Sequence, residues 1–353
     1  MPLDIPLAGR VYTSAVSGPC DPTPDRRANS IRRTSTLDFD YPEEFGAVGR
    51  VRGRARDLIT TADGTRTVAD DVLRAMIGEG RVYESLFTFP DRPALQAMVG
   101  ARGPGSSRRA MSALVPEERD GGTPLYLLLD DLPGIALVSG QLGVEWLTQA
   151  QRAERLPRRT GGVKVDMCTG YQEGSNAIAA ANEGRMTHQV RAVQPLVRAD
   201  DPIAWHAHQP ETDEPAMRRA RRIDVWLDDV IHVDAFFQDS CTTPSGVRIA
   251  VHEYLLTATA DVGSGEVLTL VADPRILPFD ACPGAAVNVD RLIGVPLGEF
   301  RQAVLDRLPG ALGCTHLNDA LRALAEVPIL ASVLQRSLRP DDAPHSETPA
   351  GQS

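Results

Sequence analysis

The chain is poor in aromatic residues, which make up 5% of its 353 residues, and poor in long apolar runs. No stretch reaches the roughly 18 consecutive apolar residues that a membrane-spanning helix needs. The N-terminus, with Asp4 in its first apolar stretch, lacks the charged-then-apolar layout of a signal peptide. The expectation is a cytoplasmic protein with no membrane partner. Positive charge is in deficit, with 37 Lys and Arg against 47 Asp and Glu, a net charge of -10. A general nucleic-acid binder is excluded on that ground, because neutralising phosphates takes a surplus of basic side chains on one face. Cysteine is odd in number, at five, without regular spacing, so no secreted disulfide framework is indicated. Reduced thiols, some acting as ligands, are the expectation. No G-x-S-x-G elbow is present, and Gly103 to Gly105 lacks the strand and the Gly-Lys-Ser/Thr step of a phosphate loop.

What is present suffices for real cores: 42% of the residues are hydrophobic, and the length allows two domains. Residues 1–29 and 338–353 are rich in Pro, Ser, Asp and Gly and read as tails. A second loose stretch, 153–215, holds Pro157, Gly161, Gly162, Pro195, Pro202, Pro210 and Pro215 and reads as a linker. It separates a first repeat, 30–152, from a second, 216–337.

The repeat rests on ordered matches. Arg32-Arg33 precedes Leu37-Asp38-Phe39 as Arg218-Arg219 precedes Ile223-Asp224-Val225. Leu58 to Gly64 matches Leu256 to Gly263, a strand running into an Asp/Gly turn, and the segment from Gly80 to Pro90 matches that from Gly265 to Pro274. Arg109 to Thr123 and Arg301 to Thr315 are both 14 positions apart. Each threonine reads as a helix N-cap, with Pro124 at the first helical position and Leu317, Leu321 and Leu324 at helical spacing. The fold class expected is α+β: two divergent copies of an antiparallel sheet-plus-helices unit, forming a monomer with pseudo-dimeric halves or a homodimer. The second copy has extra strand material around Asp228-Asp229 and Val247 to Val251.

Residues able to carry chemistry gather in the second copy. Cys282 and Cys314 each precede a helical segment, where backbone N–H groups and the dipole favour thiolate, the form that ligates metal. His252 is expected on the strand face opposite Val247, Ile249 and Val251. Cys168 in the linker completes a set of three thiols and an imidazole, enough for zinc or for an iron-sulfur cluster, with His316 as substitute. Gly122 stands in the first copy where Cys314 stands in the second. His206-Ala207-His208 with Glu211 and Asp213 reads as a solvated polar loop, as do the basic runs at Arg158-Arg159, Arg218-Arg219 and Arg221-Arg222, solvated or ion-paired. Asp130-Asp131 reads as exposed.

From Tyr254 to Leu330, the Asp261 and Gly263 turn, Cys282, Ile293-Gly294 and Cys314 followed by Leu317 and Ala320-Leu321 resemble the iron-sulfur scaffold proteins of the NifU type. That resemblance implies a scaffold-like fold for the second copy, with Cys282 and Cys314 at the second and third cysteine positions and His252 near the acidic one. The first family cysteine is absent, Gly313 replaces a histidine, and His316 follows Cys314 instead. The chain also resembles a bacterial family known only as domain of unknown function 2889. Arg54-Ala55-Arg56-Asp57-Leu58, Leu127 to Gly134, His252-Glu253-Tyr254, Cys282-Pro283 and Cys314 to Asp319 carry that likeness.

The function expected is a metal- or iron-sulfur-dependent enzyme of lyase or hydratase type acting on a small molecule. Glu253, Tyr171 and His316 are the acid/base candidates, as proton-transferring neighbours of the ligands. The alternatives are a non-catalytic iron-sulfur or zinc protein and a cysteine-dependent hydrolase.

Overall fold

The computed structural model describes residues 16–103, 106–148, 150–152, 164–183 and 188–339. Its centre is one antiparallel sheet in which β1 (Ser30–Asp40) lies beside β6 (Ala216–Leu227), with Ser30 opposite Trp226 and Asp40 opposite Ala216. From β1 the sheet runs outward through β2 (Gly49–Thr61) and β3 (Gly64–Ile77) to β4 (Tyr83–Phe89). From β6 it runs through β7 (Val230–Thr242) to β8 (Arg248–Asp261), which carries β9 (Val267–Ile276) and the short β5 (Arg191–Ala192). With helices on one face, this is an α+β fold.

Both faces of the central strands are covered, so side chains alternate between two buried environments and not between core and water. On the helix face of β6, Met217, Ile223 and Val225 pack into the cores while Arg219 and Arg221 form ion pairs. On the other face Arg218 binds Asp38 and Arg222 binds Asp224 and Asp234. The basic runs of this strand are thus buried ion pairs. Arg32 of β1 reaches Asp224 of β6, while Arg218 of β6 reaches Asp38 of β1. On the helix side Arg33 pairs with Asp57 of β2 and Arg219 with Asp239 of β7.

The helices are α1 (Ser107–Leu114), α2 (Pro116–Asp120), α3 (Pro124–Val138), α4 (Gln141–Trp146), α5 (Asn176–Asn182), α6 (Phe300–Arg307), α7 (Thr315–Ala323) and α8 (Val327–Ser337). Thr123 caps α3, its Oγ1 accepting from the Tyr126 N–H at 3.2 Å, and Leu125 to Leu129 are helical and buried against β1, β2 and β3. The stretch Pro124–Trp146 is long and apolar enough to cross a membrane by composition, yet 83% of its apolar window is buried inside the protein, as in a core helix. Helix α7 packs on β8, and α8 on β1 and β6.

Several expectations are corrected. Asp130 and Asp131 are buried, the first paired with Arg301 and Arg322 and the second with Arg221. At the second helix the N-cap is Cys314, and Thr315 is the first helical residue. The matched segments at Leu58 and Leu256 are not at equivalent strand positions, since Leu58 lies near the end of β2 and Leu256 lies in β8, with the polar β3 between β2 and β4. On one side of the β1–β6 seam stand β1 to β4, and on the other β6 to β9 with the short β5.

The N-terminal tail and the linker also differ from expectation where they are described. Thr23 is buried, and Ser17 and Gly18 hydrogen-bond the end of β9. Leu196, Ala204 and Trp205 of the linker cover Ala220 and Phe236. The expectations for residues 1–15, Arg158-Arg159 and 340–353 lie outside the described residues.

Candidate metal centre

Cys168, Cys282 and Cys314 arrive from three separate elements. Cys168 precedes a tight turn at Thr169–Tyr171 that is pinned to the chain before α7. The Thr169 N–H donates to Gly313 O at 2.8 Å, and its hydroxyl lies 2.9 Å from both Ala311 O and Gly313 O. Cys282 opens a 3-10 helical run, Cys282–Leu292, and donates its N–H to Phe279 O at 3.1 Å. A Cβ placed on Gly170 would stand 2.6 Å from Cys282 Sγ and 3.9 Å from Cys168 Sγ, so only glycine lets both thiols border this turn.

Tyr254 of β8 stands among them with its side chain fully buried. Its hydroxyl meets the Cys314 thiol, though not in a hydrogen bond of ordinary geometry. Burial, then Cys314 and Cys282, push its ionisation well above the usual range. Burial also raises all three thiols, Cys168 to about 11 and Cys282 well above the ordinary value. Cys314 is raised as well, against the Tyr254 hydroxyl and the backbone N–H groups of Leu317 and His316. The helix-terminus field expected to favour thiolate is outweighed by burial, which keeps the thiols protonated.

A second group lies beside the first, because β8 supplies both His252 and Tyr254 and the start of α7 supplies both Cys314 and His316. The β7–β8 ladder slips here: Asp239 faces His252 and Ser240 faces Ala250, leaving Val251 unpaired. This bulge lets Ile249 and Val251 join the helix-side core while His252 also stays on that side. The expectation that His252 faces away from those valine and isoleucine side chains fails for this reason.

His252 and His316 stack with ring centroids 3.3 Å apart at 19°. His252 Nδ1 lies 3.4 Å and His316 Nε2 3.8 Å from the same oxygen, Asp239 Oδ2. Among the described residues neither nitrogen has a hydrogen-bond partner of good geometry. Asp239 is fully buried and held by Arg219 at 2.8 and 3.0 Å. Arg219 in turn reaches Asp319 at 2.9 Å and Asp131 at 3.3 Å. Burial holds both imidazoles below their ordinary range, His316 well below it. Burial alone would raise Asp239, but Arg219 overrides it and keeps the carboxylate ionised.

Of the acid/base candidates, His316 belongs to this group. Tyr171 packs edge-on against Phe279, ring centroids 5.3 Å apart, near Cys168 and Cys282. Glu253 lies on the opposite face of the sheet, where its oxygens accept from Cys20 N at 2.9 Å and Gln238 Nε2 at 2.7 Å. Adjacent in sequence to His252, it is divided from the thiols by the sheet itself. His206 is neither solvated nor metal-facing: it is buried, with Thr34 and Thr36 hydroxyls 2.8 and 2.9 Å from its two nitrogens.

The sequence reading missed Asp239, Arg219 and Asp319. The signal was a lone carboxylate, Asp239, between Phe236-Phe237 and Cys241 in a strand otherwise built for burial. A surface groove of about 770 Å³ lies elsewhere, bordered by Gly122, Arg301, Gln302, Glu326 and Ile329.

Residues 217–330 match the model of the family described as "Protein of unknown function (DUF2889)". The DUF2889 match takes in Asp239, His252, Tyr254, Cys282, Cys314 and His316 and leaves out Cys168, which the linker supplies. No curated protein and no solved structure matches the chain.

Proposed function

We propose that this chain is an iron-sulfur-dependent enzyme of lyase or hydratase type on a small molecule, its cofactor held by Cys168, Cys282 and Cys314. One observation carries the reading: three thiols from separate elements, Cys168, Cys282 and Cys314, border one fully buried tyrosine hydroxyl, which meets Cys314 without a hydrogen bond of ordinary geometry. A weakly satisfied buried hydroxyl is costly, and a polar group placed among the thiols would satisfy it better.

Three thiolates are a sufficient set for a cluster with one open iron, or for zinc with a fourth ligand. A cluster ligated by three thiolates would supply one iron with an open position for an oxygen-bearing substrate. The chain's own part is to exclude water with Phe279 and Tyr171 and to hold a proton at Tyr254 Oη. A non-catalytic cluster carrier is the second reading, favoured by the burial of Cys282 and Cys314.

We also read the two four-stranded meanders as divergent copies of one unit, the second of NifU type. The reciprocal pairs Arg32 with Asp224 and Arg218 with Asp38 support the duplication.

The test is iron and sulfide analysis of protein purified without oxygen. The expected result is a brown protein whose iron is lost in Cys282→Ser and Cys314→Ser and kept in Cys20→Ser and Cys241→Ser. Wild-type iron content in the Cys282 or Cys314 variant would overturn the proposal.

A further inference from the structure

Two buried imidazole nitrogens, each without a good hydrogen bond among the described residues, face one oxygen of a carboxylate that is held ionised. We infer that His252, His316 and Asp239 form a second site, independent of the thiols, that binds a divalent first-row cation through two imidazoles and one carboxylate oxygen.

The distances fit such a cation. Metal–nitrogen and metal–oxygen bonds of about 2.0–2.2 Å at tetrahedral angles place ligand atoms about 3.3–3.6 Å apart. The nitrogens stand 3.4 and 3.8 Å from Asp239 Oδ2, and all three ligand atoms lie within 4.8 Å of one another. A proton shared between His252 and Asp239 spans the same gap poorly and leaves His316 Nε2 with nothing. Imidazole lone pairs lie in the ring plane, and two rings stacked at 19° cannot both aim at one ion. Binding therefore turns one ring out of the stack. His316 is the ring that turns, because it is the more exposed of the two, at 16% against 10%.

The carboxylate can serve the cation without losing its anchor. Arg219 holds both oxygens of Asp239, Oδ1 through Nε at 2.8 Å and Oδ2 through Nη2 at 3.0 Å, and Oδ2 keeps a second lone pair for the cation, while Arg219 Nη1 keeps Asp319 at 2.9 Å. Arg219 thus orients the ligand as an outer partner does in many metal sites. Two imidazoles with one carboxylate select the iron, nickel and zinc range over magnesium or calcium, and such a set leaves coordination positions open to water or substrate.

This inference does not rest on the thiol reading, and the experiment separates the two. Chelator-treated, untagged Cys282→Ser/Cys314→Ser protein is titrated with Co(II), followed by metal analysis and visible spectroscopy. The expected result is a single cobalt ion per chain, showing ligand-field bands without a thiolate-to-cobalt charge-transfer band. His252→Asn or His316→Asn added to that background should weaken binding at least tenfold, since replacing even an outer partner of a ligand costs about 10–100-fold. Should the double cysteine variant fail to fold, wild-type protein is compared with His316→Asn of unchanged circular dichroism. Loss of the cobalt bands that lack charge transfer supports the site. Cobalt affinity unchanged by both histidine replacements, or cobalt bound solely with thiolate charge transfer, overturns it.

Discussion

Arg219 lies directly over Gly134: a Cβ on that glycine would overlap the guanidinium Nη1. Glycine inside α3 therefore answers to a close approach and not to a turn. Gly134→Ala should displace Arg219 from Asp239 and Asp319 and cost about 1–3 kcal/mol, the usual range for overpacking. Gly140→Ala is the control, since a Cβ there meets only Leu137 O at 3.8 Å in a helical backbone. It should be neutral or stabilising by about 0.4–1 kcal/mol. Urea denaturation of both variants measures the difference.

Arg33 joins the sheet to the last helices, binding Asp57 of β2 and Glu326 just before α8, with Gly122 O at 2.7 Å. Arg33→Met should destabilise by about 3–5 kcal/mol, because buried Asp57 loses its counter-charge and Glu326 is left with Arg301 alone. Adding Glu326→Gln should recover part of that loss, and a double-mutant cycle on unfolding free energies reads the coupling.

His206 ties the linker to β1 as a neutral ring. Burial, with His208 and Arg56 adding to it, holds its pKa well below 6.5. A histidine depressed in the fold contributes stability that is full above the unfolded pKa and lost as pH falls beneath it. Below about pH 6.5 the unfolded chain binds a proton that the fold refuses, a slope of up to about 1.4 kcal/mol per pH unit. His206→Asn should be less stable at pH 7.5 and show a flatter decline between about pH 6 and 5. Parallel curves for the two proteins would refute this.

Thr169 is the clasp that brings Cys168 to the centre. Thr169→Val keeps the backbone bond to Gly313 O but removes the hydroxyl bonds, a loss of about 1 kcal/mol. Global stability should fall by that amount, and alkylation of Cys168 followed by mass spectrometry should accelerate severalfold. Cys241, buried on β7, should show no change.

Local rules made the helices legible. Thr123-Pro124 announced α3 despite a composition that passes for a strand, and the cap geometry explains why. The three cysteines were legible because thiols are few. The charged residues misled, because Arg218 to Arg222 and Asp130-Asp131 follow the pattern of exposed faces, and only the long-range pairing of arginine with aspartate makes their burial tolerable. His252 misled for a different reason. One bulge residue, Val251, reverses the alternation from which its direction was read, and nothing in the local sequence marks it.

The β1–β6 seam constrains how this chain could be divided. A fragment beginning at residue 216 would leave β6 an open edge carrying four arginines, with Asp38 gone from beside Arg218 and Arg32 gone from beside Asp224. Two such fragments laid edge to edge in opposite directions could set Arg218 of each against Asp224 of the other, making two such pairs across the new seam. The single chain holds within one molecule a handshake that shorter chains would have to make between molecules, and any attempt to express the second half alone should be watched for dimers.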